Sequence, residues 1–164
     1  MGFIFSRKDT FPDTKQISGK LYILQKPFIA DVRMSRKKVV QLPIPEGLIT
    51  DYGSIPGFAQ AFYDTAGKNS AAYIKHDFLY ASELVKKKIA DWNLLLDLKD
   101  DGMNWFKRNA AWIAVKVGGP SVWKKHTVEG INKARELLFI TQRNLIRKRN
   151  RFHIVYKDGK YAKV

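Results

Sequence analysis

The sequence predicts an α+β fold: N-terminal short β-strands and Pro/Gly-rich loops packed on a helical bundle, then a C-terminal helix plus a β-hairpin. Three observations lead there. Short β-branched and aromatic runs occupy the first part of the chain. A segment punctuated by Pro43, Pro45 and Pro56 and by Gly47, Gly53 and Gly57 follows. From Asn69 onward the apolar residues recur at helical spacing.

In chain order, Lys20–Leu24, Pro27–Arg33 and Lys38–Leu42 read as strands. LPIPEGLITDYGSIP carries too many breakers for a long element, and a loop stiffened by Pro and Gly is a good mount for polar side chains. Residues 70–85, 87–100 and 103–117 read as three helices, with Gly102 and the pair Gly118-Gly119 ending the second and third. A fourth runs from about Val128 to Arg149 with Ile131, Ala134, Leu138, Thr141 and Leu145 along one face. FHIVYKDGKYAKV closes the chain as a hairpin turning at Asp158-Gly159. This divides into a core over 1–125 and a basic helix and hairpin extension over 126–164, packed on the core or projecting from it.

The chain is long enough for one domain with a real core, and 45% hydrophobic with 13% aromatic residues is a globular composition. The absence of cysteine excludes disulfides and thiolate zinc sites. The apolar run in MGFIFSRKDTFPD is too short for a secretion signal, no later window reaches the length of a membrane span, and the match of Met1–Ser6 to a myristoylation pattern is read as chance. The net charge is +15, and twelve Lys and Arg against three Asp and Glu place +9 of it between Pro120 and Val164. Such a surface attracts polyanions without choosing among nucleic acid, cell wall, lipid headgroups and acidic protein.

The chemistry-bearing signal is charge on faces that need burial. On a wheel of residues 70–85, Lys75 and Ser82 share the solvent side, while Asp77 lies within an arc of Tyr73, Tyr80, Ala81 and Leu84, with His76 at its edge. In the next helix Asn93, Asp97 and Asp100 form a wet face, whereas Asp91 falls between Leu95 and Leu98. Each inward carboxylate needs a cation, a histidine, backbone donors or a metal. Asp51, in the Pro/Gly segment, is the natural third carboxylate. The four side chains Asp51, His76, Asp77 and Asp91 are expected to meet in a pocket lined by Tyr73 and Tyr80. The alternative is purely structural: Asp51 and Asp77 hydrogen-bond loop amides, and one of them holds His76.

The segments LITDYGSIP, AAYIKHDFLY, IADWNLLLDL and AAWIAVKVGGPSVW resemble the DUF1353 family, found mainly in tailed phages, prophages and their hosts. The matching positions are Thr50, Asp51, Ser54, Ile55 and Pro56, then His76, Asp77, Leu79 and Tyr80, then Asp91, Gly119 and Trp123, across roughly residues 40–125. Tyr52 stands where the family commonly has a small residue, and the basic extension lies outside its pattern. The resemblance implies a phage context, in the virion or the infected host cytoplasm, and no activity.

Three functions fit. The first is a hydrolase acting on the bacterial cell wall, with Asp51, His76, Asp77 and Tyr80 as catalytic residues. In it Asp51, His76, Asp77 and Asp91 hold a divalent metal, zinc or manganese, that activates water, and Tyr80 steadies an oxyanion. HExxH and the other two-histidine zinc patterns are absent, and His126 and His153 read as ordinary surface or interface residues. The second is a non-enzymatic virion component of tail, baseplate or head, whose partners are other phage proteins. The third is a nucleic-acid binder using the polyanion stripe Arg143, Arg147, Lys148, Arg149 and Arg151.

Overall fold

A computed structural model of the chain describes residues 11–52, 67, 69–152, 154–157 and 160–163, with side chains to residue 147. The fold is α+β. β1 (Thr14–Ser18), β2 (Leu21–Leu24) and β5 (Ile49–Thr50) form an antiparallel sheet in the order β1-β2-β5, with a bulge in β1 between Gln16 and Ser18. β3 (Phe28–Arg33) and β4 (Val39–Ile44) pair as a hairpin. The four helices are α1 (Ser70–Ser82), α2 (Lys87–Asp100), α3 (Trp105–Trp123) and α4 (Val128–Phe152), and β6 (Ile154–Lys157) pairs with β7 (Lys160–Lys163) as the closing hairpin. The Asp158-Gly159 turn and His153 lie outside the described residues. No helix among the described residues is long and apolar enough to cross a membrane.

The strands expected over 20–24, 27–33 and 38–42 are present with small shifts. β4 runs through Pro43, which pairs with Ile29; an edge strand tolerates a residue with no N–H to give its outer side. β1 and β5 went unread because one is mostly exposed and polar and the other has two residues.

α1 is the centre of the molecule. Ala71, Ala72, Tyr73, Ile74, Phe78 and Leu79 are all buried, and Leu24, Phe28, Ile44, Leu94, Leu98 and Leu138 close around it. It stops at Ser82 because Glu83 adopts a left-handed conformation (φ 45°), so Leu84 falls outside the helix and is exposed. The expected solvent side of α1 is overturned: Lys75 and Ser82 are completely buried. The Lys75 ammonium pairs with Asp97 and donates to the Asp31 carbonyl at 2.8 Å and to Asn93 Oδ1 at 3.4 Å.

The wet face of α2 is overturned for the same reason. Asn93 and Asp97 are buried, and Asn93 accepts from the Arg33 backbone N–H at 2.8 Å and returns a bond to the Arg33 carbonyl at 2.9 Å. Arg33 reaches Asp97 at 3.4 Å and Asp100 at 2.6 Å. A polar face read as solvated is instead docked on a polar partner surface supplied by β3 and α1.

α3 continues through Gly118, Gly119 and Pro120 to Trp123 instead of ending at the glycines. Its start is capped by Asn104, whose side chain accepts from the Lys107 N–H at 3.1 Å. α4 packs along α1 with Ala134, Leu138, Thr141 and Leu145 buried, and Arg135 donates to the Ser82 and Glu83 carbonyls at 2.8 and 3.2 Å, covering the end of α1.

Candidate active site

A pocket of about 540 Å³ opens between β5, the outer edge of α1, the second half of α3 and the first turn of α4. Its polar wall carries Asp51, His76, Asp77, Tyr80, Ser121 and His126, and its apolar wall includes Ile49, Val115 and Ile131. Of the residues expected to meet, Asp51, His76, Asp77 and Tyr80 line one cavity, whereas Asp91, 5% exposed, does not line it and stands behind His76 and Tyr80. Tyr73 does not line the cavity; it is buried in the core beside Ala72 and Ile74. Ser54, Ile55 and Pro56 of the motif turn lie outside the described residues.

Asp91 is the hub. Its Oδ1 faces His76 Nε2 at 3.2 Å and accepts from the Tyr80 hydroxyl at 2.6 Å, while its Oδ2 accepts from the Lys87 ammonium at 2.6 Å. Lys87 sits one helical turn before Asp91 and also donates to the Val115 carbonyl at 3.2 Å, tying α2 to α3. Burial alone would raise the Asp91 pKa, but the hydrogen bonds from His76, Lys87 and Tyr80 outweigh it and hold the carboxyl below its ordinary range. His76 moves oppositely to a typical ion-paired histidine. Its burial lowers its pKa below 6.5, and the Asp91 carboxylate only partly opposes that. A neutral ring beside a carboxylate presents Nε2–H to it, which leaves Nδ1 as the nitrogen with a free lone pair. Among the described residues Nδ1 makes no hydrogen bond.

Tyr80 was expected to steady an oxyanion. Its proton is instead committed to Asp91, and burial, together with that bond and the Asp91 charge, pushes the phenol well above its usual range. Its ring organises the site: His76 stacks on it at 4.3 Å, Trp123 meets it edge-on at 5.0 Å and His126 lies 6.3 Å away. Asp77 accepts from the Thr50 hydroxyl, which also receives the Tyr52 N–H at 3.0 Å, so β5 and the start of the motif turn are fastened to α1.

The metal set expected from Asp51, His76, Asp77 and Asp91 does not converge. Among the described residues no three His, Asp or Glu side chains come close enough to hold a metal ion. Asp91 itself is engaged on both oxygens, Oδ2 by the Lys87 ammonium and Oδ1 by the Tyr80 hydroxyl.

Three participants escaped sequence reasoning. Lys87 was within reach, since its i,i+4 spacing to Asp91 is the ordinary helical pairing distance. His126 and Glu83 had no signal: they are 43 residues apart, yet His126 Nδ1 meets Glu83 Oε1 at 2.8 Å and the imidazole lines the pocket. The polyanion stripe is far from this cavity on α4, with Arg143 and Arg147 exposed; the side chains of Lys148, Arg149 and Arg151 lie outside the described residues.

Gly119 explains why glycine stands inside α3. A Cβ there would run into the Tyr80 hydroxyl and approach Lys87 Cε and Nζ at 2.8 and 2.9 Å, the two groups that hold Asp91. Gly119→Ala gains up to about 1 kcal/mol of helix propensity but is expected to lose about 1–3 kcal/mol to overpacking. A net fall in melting temperature together with a weakened site is the expected outcome of a thermal melt and an activity assay.

A family model described as "Protein of unknown function (DUF1353)" matches residues 27–115, more than half of the chain. Gly119 and Trp123, expected to complete the family pattern, lie beyond the matched residues. No curated protein matches the chain, and no solved structure does.

Proposed function

The chain belongs to the DUF1353 family, and from the geometry of its pocket we propose that it is an acid–base hydrolase acting on a polymer of the bacterial cell wall. The observation that carries the reading is a buried His76 paired with Asp91, its pKa lowered by burial, on the wall of a cavity that also presents Asp51 and Asp77. Such a dyad is suited to general-base catalysis: Asp91 fixes the tautomer, and Nδ1 takes a proton from water as the water attacks. Asp77 and Asp51 orient that water and the substrate's donors. His126, held by Glu83 across the Tyr80 ring, protonates the leaving group. The +15 charge supports an anionic polymer as substrate, since it raises the local concentration of the chain on such a surface. On this reading the protein is a phage or prophage product, met in the infected cell or the virion. The exposed Arg143 and Arg147 favour a second reading, in which α4 holds a nucleic acid and the pocket is structural.

The test is release of soluble fragments from purified cell-wall sacculi as a function of pH. Because the folded His76 pKa is below 6.5, the base form persists into mildly acid solution, so the acid limb of the rate profile is expected below the ordinary histidine range. Stability has the same sign: it is fully present above the unfolded value and falls as the pH drops from there toward the folded pKa, because only the unfolded chain binds the proton. No release at any pH would overturn the reading.

A further inference from the structure

α3 has a second face, and its composition is abnormal. One side of the helix lines the pocket with Ala114, Val115, Gly118 and Gly119. The opposite side, turned to solvent, should be polar, yet it carries Phe106 at 75%, Ile113 at 54% and Val117 at 76% exposure, followed by Pro120. Their spacing keeps them on one stripe that extends about 21 Å at 1.5 Å per residue. Trp105, 58% exposed, packs edge-on against Phe106 at one end.

The charges that α3 itself carries have one sign. α3 contains Lys107, Arg108 and Lys116 and no acidic residue, and Lys124 and Lys125 follow it. The Lys116 ammonium lies over the face of the Trp112 ring, 4.7 Å from its centroid, at the edge of the stripe.

We propose that this face of α3 seats the protein on an anionic lipid bilayer surface. Aromatic and aliphatic side chains enter the boundary between headgroups and acyl chains, and the flanking lysines meet lipid phosphates. A bilayer offers what the face lacks on both counts: an apolar layer for the stripe and negative charge for its border. A second copy of the chain fits poorly, because it would bring the same lysines against their own kind in a +15 protein. The surface lies on the opposite side of α3 from the pocket and is independent of the chemistry proposed there.

The experiment is cosedimentation of the full-length protein with vesicles of phosphatidylcholine alone and of phosphatidylcholine with phosphatidylglycerol, the latter also with bromine-labelled acyl chains. The parent protein is expected to bind the phosphatidylglycerol vesicles, with its tryptophan emission quenched by the bromine. Ile113→Ser with Val117→Ser, and separately Phe106→Ser, replace exposed side chains. Each should leave melting temperature and heparin retention unchanged while lowering vesicle binding about tenfold or more for the double variant. Three results would overturn the proposal: no vesicle binding, equal binding by the serine variants, or binding without quenching. So would a dimer of the parent that the serine variants dissociate, which would make the face a contact between copies.

Discussion

Replacing Lys75 with methionine is expected to cost about 3–5 kcal/mol of folding stability, because it leaves the buried Asp97 carboxylate without its main cation. Arg33 remains, but at 3.4 Å and with its other arm on Asp100 it compensates only in part. The loss should appear as a lower urea midpoint with an unchanged slope. Lys75→Met combined with Asp97→Leu should recover most of it, since removing both members of a buried pair is often near neutral. A single Lys75→Met variant within about 1 kcal/mol of the parent would mean the pair contributes as little as a surface salt bridge.

The largest expected effect on chemistry falls on the dyad. His76→Asn should lower fragment release from sacculi about 10²–10⁴-fold, the usual contribution of a positioned general base. Asp91→Asn separates positioning from structure. It removes the carboxylate that raises the His76 pKa, so the residual activity should have its acid limb displaced to still lower pH. It also leaves the Tyr80 and Lys87 donors with a poorer acceptor, at a cost of about 1–3 kcal/mol. A purely structural Asp91 would give the stability loss without moving the pH profile.

Much of this was legible because burial writes itself into helical spacing. Asp91 between Leu95 and Leu98, and His76 and Asp77 beside Tyr80, are polar residues at apolar positions, and the structure gathers them around one pocket. The same logic failed at Lys75, Asn93 and Asp97. There a polar face looked solvated because its partners, Arg33 and Asp31, sit on a strand some forty to sixty residues away. A wheel shows which side differs from the rest but not what covers it. The α3 stop failed similarly: Gly118-Gly119 is a good terminator locally, but the glycine at 119 answers a tertiary need, clearance for Tyr80 and Lys87. His126 was passed over because nothing near it in sequence points to Glu83.

The central claim is that His76 is a neutral base whose Nε2–H is held by Asp91. Long-range proton–nitrogen NMR of the ring, followed through a pH titration, tests it most directly. The account predicts the Nε2–H tautomer at neutral pH, protonating only below the ordinary histidine range. An imidazolium at neutral pH, or the Nδ1–H tautomer, would contradict it, since neither leaves a lone pair on Nδ1 to accept a proton.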